Sequence, residues 1–377
     1  MLNFSSNDYL GLANEPALKE AARKAIEEFG AGSGASRLIC GSLAPHYLLE
    51  EAIAEFKATE AALSFSSGYA GALGTLGALL DKQDVVAVDK LVHASIVDAA
   101  RLCGAKLRVF AHNDLDALER ILKWADQRSR SQSNATAQRR SRTLIVTESV
   151  FSMDGDLALL REIIELKEKY GAWLMLDEAH ATGLYGQNRR GLAEAYELAD
   201  RVEIQMGTLG KAVGAAGGFI CGSRRLIELL VNRARTFVFS TAPTPSSAAA
   251  ATAGIRFVQS SEGETRRAQL WARVDQLKNG LVTQASRQAR SGLSPAKLER
   301  ASAKWELPLI RSAIIPLIVG PEAVAMEMAA ALRERGIFIP AVRYPSVARG
   351  RARLRLTVTA AHSMDDVKQL LGTLDSL

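Results

Sequence analysis

Hydrophobic residues in the first part of the chain alternate between two kinds of pattern. Helical spacing covers residues 15–29, 45–58, 69–80 and 96–103. Between these stretches lie short, almost continuous apolar runs, which predict strands at residues 62–68, 85–89, 107–112, 143–148, 173–178, 204–208 and 218–222. Apolar strands that alternate with amphipathic helices predict an α/β fold with a mostly parallel central sheet covered on both faces.

The pattern changes after Pro243 and Pro245. A long helical stretch follows, then an apolar run at 314–320, a helix, and an alternating segment at 353–361 that suits a strand with one polar face. A chain of 377 residues exceeds one typical core. The parts that we expect are an N-terminal segment at 1–40, a large α/β domain at 41–260 and a smaller α+β domain at 261–377.

Composition is that of a globular protein, with 48% hydrophobic and 23% charged residues. No apolar run approaches the ~20 residues that span a bilayer, and residues 1–12 lack the basic and apolar regions of a signal peptide. Cys40, Cys103 and Cys221 are scattered and lack the spacing of metal ligands. We therefore expect a cytoplasmic protein with reduced thiols, no metal and no membrane partner.

The net charge of +6 depends largely on one segment, residues 127–142. This segment contains no acid and carries the arginines Arg128, Arg130, Arg139, Arg140 and Arg142. Its polar, low-complexity sequence has no hydrophobic period, which predicts a solvated basic loop inserted in the large domain. A nucleic-acid patch is the alternative. We favour the loop, without a nucleic-acid partner, because charge runs usually only solvate a segment.

The polar residues of most interest fall at or just after the ends of the predicted strands. They are the segment Ser67, Gly68 and Tyr69, together with His93, Glu148, Asp177, His180, Thr208 and Lys211. In a parallel α/β sheet, ligands bind at the carboxyl ends of the strands. The convergence of these residues on one edge predicts a ligand site more strongly than any of them does alone.

Two segments, LMLDEAH at 174–180 and TLGKAVG at 208–214, indicate which ligand this is. Asp177 ends an apolar strand, where a buried carboxylate needs a cationic partner. Lys211 lies among small residues that let a ligand approach. Pyridoxal 5'-phosphate (PLP) needs such a pair, because an acid keeps its pyridine nitrogen protonated and a lysine holds its aldehyde as a Schiff base. Taken alone, an acid at a strand end more often forms a structural ion pair.

Four further residues have two interpretations each. Gly68 and Tyr69 open a helix whose free N–H groups can bind a phosphate, or they simply begin a helix. His93 can stack on a cofactor ring or be structural, and Ser152 can reach the cofactor or stabilise its own turn. His180, three residues after Asp177, can donate to the phenolic oxygen of the same ring.

These motifs resemble those of the α-oxoamine synthases, a branch of the fold-type-I PLP-dependent transferases, whose fold is similar to that of aspartate aminotransferase. TLGKAVGAAG at 208–217 is similar to the lysine attachment pattern of the class-II aminotransferases. The segments FSSNDYLGL, GSGASR, SGY, HAS, FSMDGD, DEAH and RLRLTVTAAH follow in the family's order. The resemblance therefore spans nearly the whole chain.

The resemblance implies a cofactor role for each candidate residue. Four are catalytic: Lys211 forms the Schiff base, Asp177 pairs with the pyridine nitrogen, His180 bonds the phenolate oxygen and His93 stacks on the ring. The residues that also hold the cofactor are Gly68, Tyr69, Ser152 and Thr208. The resemblance also implies a homodimer with shared active sites, in which Ser240 and Thr241 reach the phosphate of the neighbouring subunit.

The substrate side that the resemblance implies consists of Asn7, His93, Ser346 and Arg355, with Arg355 binding the amino-acid carboxylate. FSSNDYLGL, AHND at 111–114 and the TAAH ending are most similar to members that condense L-alanine with pimeloyl-CoA or a pimeloyl carrier protein and release CO2 and a thiol. Three other members, 2-amino-3-ketobutyrate-CoA ligase, 5-aminolevulinate synthase and serine palmitoyltransferase, differ in amino acid and acyl length. Motif spacing does not separate them.

The chain departs from the family pattern in three places. The family usually has a further N-terminal segment with an arginine implicated in acyl binding, whereas Met1 directly precedes the first shared motif; we expect altered acyl recognition or a truncated chain. Ser346 replaces a threonine and keeps the hydroxyl. The basic segment 127–142 is an insertion that we expect to be non-catalytic.

A different class of protein also contains a DEAH segment. In nucleic-acid helicases it forms the Walker B box, and a basic loop would suit RNA. Such an NTPase requires a phosphate loop GxxxxGK[ST] upstream of the box. The nearest match, residues 207–212, lies downstream and has no Ser or Thr after Lys211, which makes this the weaker interpretation.

Overall fold

The computed structural model describes residues 1–135, 140–290 and 305–377. These residues group into two compact units. The large unit comprises Leu12–Phe151 and Leu157–Gly263, and the small unit comprises Met1–Gly11, Ser152–Asp156 and Glu264–Leu377. The expected domain limits at residues 40 and 260 stay predictions.

The strands are short. They are β1 (Leu2–Asn3), β2 (Ala61–Phe65), β3 (Val85–Asp89), β4 (Lys106–Phe110), β5 (Thr143–Glu148), β6 (Trp173–Asp177), β7 (Ile204–Thr208), β8 (Gly218–Gly222), β9 (Ile314–Gly320), β10 (Ile337–Phe338), β11 (Ala341–Val342) and β12 (Ala352–Thr357).

The helices precede, separate and follow these strands. They are α1 (Pro16–Phe29), α2 (Ala44–Lys57), α3 (Gly68–Leu79), α4 (Ala94–Leu102), α5 (Leu115–Ala135), α6 (Leu160–Lys169), α7 (Leu192–Ala195), α8 (Arg224–Arg233), α9 (Arg235–Val238), α10 (Pro245–Gln259), α11 (Ser261–Arg290), α12 (Glu322–Glu334) and α13 (Met364–Asp375), with a π-helical turn at Arg37–Gly41 and a 3-10 turn at Ala199–Arg201. Among the described residues, no helix combines the length and apolar character needed to cross a bilayer.

A seven-stranded sheet forms the centre of the large unit, in the order β2-β8-β7-β6-β5-β3-β4. Strand β8 runs antiparallel to β2 and β7, whereas the other neighbours pair in parallel. Glu148 at the end of β5 is level with Asp177 on β6, and Asp177 is level with Met206 on β7. The predicted mostly parallel sheet is confirmed, and its register brings the ends of three strands together.

Hydrophobic side chains cover both faces of this sheet. Val146 and Met175 belong to one buried cluster, whereas their chain neighbours Ile145 and Leu174 belong to another. Consecutive strand residues point to opposite faces, so the two clusters lie on opposite sides of β5 and β6. The continuous apolar runs in the sequence are explained by this burial on both sides.

The prediction of a loop at 127–142 is wrong for its first part. Helix α5 continues to Ala135, through residues that have no hydrophobic period. Arg130 lies one turn after Asp126 and forms an ion pair with it at 2.9 Å. Side-chain pairs of this kind stabilise a polar, exposed helix end, which a search for apolar periodicity overlooks. The insertion's residues 136–139 lie outside the described residues.

The small unit contains an antiparallel sheet in the order β11-β12-β9, and β1 pairs in parallel with β10. The N-terminal strand therefore belongs to the same unit as the C-terminal residues. The polar face predicted for the last strand consists of Arg353, Arg355 and Thr357 on β12. All three are buried, so this polar face is an internal one.

Helix α10 packs closely against the loop that carries Lys211. A Cβ on Gly254 would lie 2.2 Å from the carbonyl oxygen of Val213, whereas a Cβ on Gly77 in α3 would meet no atom within 4 Å. We expect Gly77→Ala to raise the midpoint of thermal unfolding, because alanine stabilises a helix interior by about 0.5–1 kcal/mol. Gly254→Ala carries the same propensity gain, yet we expect a lower midpoint because overpacking against backbone costs about 1–3 kcal/mol. Equal midpoints for the two variants would contradict the packing.

Candidate active site

A cavity of about 170 Å³ lies in the large unit at the carboxyl ends of β5, β6 and β7. Its walls contain most of the residues singled out in the sequence. They are Gly68, Tyr69, His93, Ser95, Glu148, Asp177, Ala179, His180, Met206, Thr208 and Lys211. The sheet register therefore gathers residues from five separate sequence segments around one space, as the strand-end argument predicts.

Asp177 is the last residue of β6 and is buried. Its Oδ1 accepts a hydrogen bond from the backbone N–H of Ala179 at 2.9 Å. Burial raises the pKa of this carboxyl, while the nearby Lys211 and the hydrogen bond from Ala179 act to lower it. A cation at the carboxylate would compensate for its lost hydration. Asp177 is therefore suited to bind a protonated ring nitrogen.

Lys211 lies beside His180 in the same cavity. The Lys211 Nζ is 2.8 Å from the His180 Nε2, and His180 is buried. An amine and an imidazole at this distance share a proton in one of two arrangements. His180 lies three residues after Asp177, the last residue of β6. Its contact with Lys211 therefore places the amine near the end of that strand.

The loop after β7 fixes the backbone on either side of Lys211. The Thr208 hydroxyl donates to Gly217 O at 3.1 Å and accepts from Gly210 N–H at 3.2 Å. Gly214 has a φ of +74°, and a Cβ there would lie 2.5 Å from the Leu12 Cβ. Gly214 therefore permits a tight turn after Lys211, and the hydrogen bonds of Thr208 hold the start of this loop.

His93 is the N-cap residue of α4. Its Nδ1 accepts the backbone N–H of Ser95 at 3.2 Å, which leaves the ring proton on Nε2 in the neutral form. Its own backbone N–H donates to the Glu148 carboxylate. His93 is exposed as a whole residue, yet desolvation lowers the pKa of its ring, as does Lys211, whereas Asp177 acts to raise it. With its pKa lowered in this way, the His93 ring is uncharged at neutral pH.

Helix α3 begins at the cavity wall with Gly68 and Tyr69. Ser67 is the N-cap, and its hydroxyl accepts from Ala70 N–H at 3.1 Å. The remaining free N–H groups of the first turn and the helix dipole favour an anion here. Tyr69 is half exposed, and its hydroxyl donates to Asp98 at 2.9 Å, so its main chain is the part available to a ligand.

Three predicted residues meet in the small unit around Arg355. The Arg355 Nε donates to Ser152 O at 2.6 Å, and Nη1 and Nη2 both lie 3.3 Å from Asn7 Oδ1. Nη1 also donates to the Thr357 hydroxyl at 3.0 Å. These partners are neutral oxygens. Among the described residues, no acid forms an ion pair with Arg355, so this buried guanidinium keeps a net positive charge.

Three predicted residues lie apart from these groups. Ser240 and Thr241 are exposed and line a second, smaller cavity of the large unit with Arg37 and Ser64. Ser346 is exposed in a turn of the small unit, where its N–H donates to Arg343 O at 3.0 Å. Within one copy of the chain, Ser240 and Thr241 are not among the residues that line the Lys211 cavity.

The family model for aminotransferases of class I and II matches residues 1–374. The chain belongs to this family. An 8-amino-7-oxononanoate synthase of Herminiimonas arsenicoxydans is 43% identical, over 100% of this chain and 89% of that relative. A solved serine palmitoyltransferase of S. paucimobilis with bound PLP-myriocin aldimine is 28% identical at a TM-score of 0.87, over 99% of this chain and 86% of that one. A solved 8-amino-7-oxononanoate synthase of Francisella tularensis is 25% identical at a TM-score of 0.78, over 100% and 97%.

These similarities confirm the predicted fold-type-I transferase fold and the predicted cofactor, PLP. They give no support to the DEAH-type NTPase interpretation. The cavity around Lys211 also fits PLP chemically, because it combines a buried acid, an amine and a helix N-terminus. Those three features suit the ring nitrogen, the aldehyde and the phosphate in turn.

Ser95 is a cavity residue that the sequence analysis did not single out. Its hydroxyl lies 2.8 Å from the His93 Nδ1, and its N–H donates to the same atom. Ser95 therefore sets the tautomer of His93. The signal was available in the HAS motif, because a polar residue two positions after an N-cap histidine can bond back to its ring.

The loop with Ser240 and Thr241 is tied down by a buried histidine. His46 Nε2 donates to Pro243 O at 2.8 Å, and Nδ1 accepts from Leu43 N–H at 3.1 Å. Desolvation, and to a lesser extent Arg37, lowers the pKa of His46, although Pro243 O and Glu50 act the other way. The unfolded chain thus binds this proton at a higher pH than the folded one. The resulting stability is present above the unfolded pKa of about 6.5 and is lost as the pH falls below it.

We therefore expect the unfolding midpoint to fall more steeply with acidification in the wild type than in His46→Gln. Glutamine does not bind a proton, so the variant lacks the difference in proton binding between the folded and unfolded chain. It is less stable at neutral pH because two buried hydrogen bonds change, each worth about 1 kcal/mol. The unfolding midpoints of the wild type and the variant are compared between about pH 7.5 and 5. The other histidines contribute equally to both proteins, so they cancel when one pH profile is subtracted from the other. Parallel pH profiles would show that His46 does not titrate in this way.

Proposed function

We propose that this chain is an 8-amino-7-oxononanoate synthase of biotin biosynthesis. It condenses L-alanine with a pimeloyl thioester, carried by CoA or by a carrier protein, and releases CO2 and the free thiol. The observation that carries the proposal is the pairing of Lys211 Nζ with His180 Nε2 at 2.8 Å beside the buried Asp177. The 43% identity of a relative of that name over the whole chain supports the choice of reaction.

When bound, PLP supplies an electron sink for the carbanion formed at the Cα of the amino acid. Asp177 would keep a proton at the ring nitrogen, and the first turn of α3 would bind the phosphate with its N–H groups. His93 would stack on the ring, and its proton on Nε2 leaves it uncharged beside Lys211. His180 and Thr208 would orient the cofactor and the lysine loop.

Lys211 has two tasks in this proposal. Its Nζ would hold the aldehyde of the cofactor as a nucleophile, and as a free amine it would take the proton from the alanine Cα. A C–C bond then forms between Cα and the thioester carbonyl carbon, and the thiolate leaves. Cα would then lose its carboxylate as CO2 and regain a proton, and Lys211 Nζ, which accepted the first proton, would be the donor.

Arg355 binds the carboxylate of alanine in this proposal. Its guanidinium is buried, oriented by Ser152 and Asn7, and charged without an acidic partner among the described residues, as an anion site requires. We also propose a homodimer in which Ser240 and Thr241 reach the phosphate of the neighbouring subunit, and we propose that Ser346 lines the substrate side. The three cysteines form no disulfide, which agrees with the cytoplasmic location that we propose.

The first test measures cofactor attachment and product. With PLP, we expect a visible absorption band that borohydride abolishes in the wild type, and 8-amino-7-oxononanoate as the product from alanine. Lys211→Ala should lower kcat by about 10²–10⁴-fold or more, because it removes both the nucleophile and the base. Lys123→Ala, an exposed lysine with a side chain 55% accessible, is the matched control and should keep full activity.

Serine palmitoyltransferase is the second candidate, because a solved member superposes with a TM-score of 0.87. Product analysis with alanine, glycine and serine against short and long acyl thioesters separates the two. A preference for serine and a long acyl chain would favour that second candidate. A preference for glycine would reject both in favour of another family member.

Arg355 gives a prediction on substrate affinity. Arg355→Lys keeps the charge but cannot donate to Ser152 O, Asn7 and Thr357 at once. We expect the KM for alanine to rise by about ten- to a hundredfold, which corresponds to about 1.4–2.8 kcal/mol, with a smaller change in kcat. Arg351→Lys is the control, since Arg351 pairs with Glu306 in an exposed ion pair. An unchanged KM in Arg355→Lys would exclude Arg355 as the carboxylate ligand.

A further inference from the structure

A second carboxylate follows directly after Asp177, and it is buried as well. Glu178 has a side chain 1% exposed, and its Oε2 lies 2.5 Å from the Nζ of Lys57, whose side chain is 0% exposed. Lys57 is the last residue of α2 and lies 121 positions earlier in the chain. None of the steps proposed above uses this pair, and neither residue lines the Lys211 cavity.

The surroundings of Glu178 are built to hold an ion pair. The other carboxylate oxygen, Oε1, accepts the backbone N–H of Ala193 at 2.9 Å, and Lys57 also donates to Arg190 O. Gly191 has a φ of +138°, and a Cβ there would lie 2.1 Å from Glu178 Oε2. Only glycine at this position leaves room for the carboxylate. Lys57, Arg190, Gly191 and Ala193 together form a cage around the side chain of Glu178.

Backbone bonds connect this cage to the cofactor residues. Glu178 N–H donates to Met206 O on β7 at 2.8 Å, and Glu178 O accepts from the N–H groups of Ala181 and Thr182 at 2.9 and 2.8 Å. His180 lies inside that turn, and Asp177 directly precedes it. A displacement of Glu178 would therefore move Asp177 and His180 relative to Lys211.

The pair also affects the charge at the site. Asp177 lines the cavity, whereas Glu178, the residue after the end of β6, does not line it and has its carboxylate against Lys57. A like charge favours protonation of a neighbouring carboxyl, and Glu178 acts on Asp177 in this direction. The ammonium of Lys57 opposes that effect, because it places a positive charge against Glu178 without entering the cavity.

We propose that Lys57 is a positioning residue of the active site: its ion pair with Glu178 fixes the Asp177–His180 segment and cancels the second negative charge behind Asp177. The inference rests on the proposed function in one respect, namely that PLP binds at Asp177. Lys57 itself touches neither cofactor nor substrate in this proposal.

The test compares Lys57→Met, Glu178→Gln and the double variant, each loaded with PLP. The readout is the pH midpoint at which the visible absorption band of the bound cofactor titrates. Lys57→Met leaves a negative charge behind Asp177, which favours the protonated cofactor, so the midpoint should rise. Glu178→Gln leaves a positive charge, so the midpoint should fall, and the double variant should return to the wild-type value.

PLP affinity of the apo-proteins provides a second readout. We expect each single variant to bind PLP about tenfold more weakly, equivalent to about 1.4 kcal/mol, with recovery in the double variant, where no buried charge is left unpaired. Arg201→Met is the matched control. Arg201 pairs with Glu168 at 2.6 Å, but both side chains are exposed, so neither readout should change.

Midpoints that shift in opposite directions and recover in the double variant support the proposal, because a purely structural defect would move both singles alike. Shifts in one direction, or none, would overturn it. If a single variant does not fold, Lys57→Arg replaces it: this variant keeps the charge and should keep the wild-type midpoint, and a shifted midpoint would count against the proposal. A wild-type chain that binds no PLP would contradict the proposed function instead.

Discussion

Burial of charge at the end of β6 is the constraint around which the large unit is arranged. Asp177 and Glu178 are consecutive carboxylates, and both are buried. Each loses most of its hydration, which costs several kcal/mol per ion unless partners compensate. Asp177 lines the cavity, whereas the carboxylate of Glu178 lies against Lys57, so each carboxylate needs a partner of its own. Lys57 compensates the charge of Glu178. Asp177 faces a ligand cavity, where a bound cation would compensate its charge.

The parallel sheet makes the cavity side possible. Glu148, Asp177 and Met206 are level across β5, β6 and β7, so the loops that follow these strands all open on the same edge. Glu148 then fixes the backbone of His93, and Thr208 fixes the turn with Lys211. The reactive groups are thus held by short bonds to strand ends rather than by long loops. Pre-organisation of this kind is what a cofactor enzyme contributes to the cofactor's own chemistry.

The strands and the cavity residues could be predicted from sequence because their signals are local. An apolar run that ends in an acid, or a lysine between small residues, is visible within seven positions. The pair of Lys57 and Glu178 has no such signal, since its partners are brought together only by the fold. The helical part of 127–142 was missed for another reason: its stability comes from pairs such as Asp126 and Arg130, and not from an apolar face.

The two arginines of β12 show how one motif can contain two different solutions to the same problem. Arg353 and Arg355 are two residues apart on the same face of the strand, and both are buried. Arg353 is neutralised by Asp154 at 2.6 Å, whereas Arg355 donates to oxygens of Ser152, Asn7 and Thr357 that carry no net charge. Neutral acceptors orient a guanidinium and satisfy its N–H groups, but they leave its positive field intact. A buried cation in that state gains stability from a bound anion, which is why we propose Arg355, and not Arg353, as the arginine that binds the substrate carboxylate.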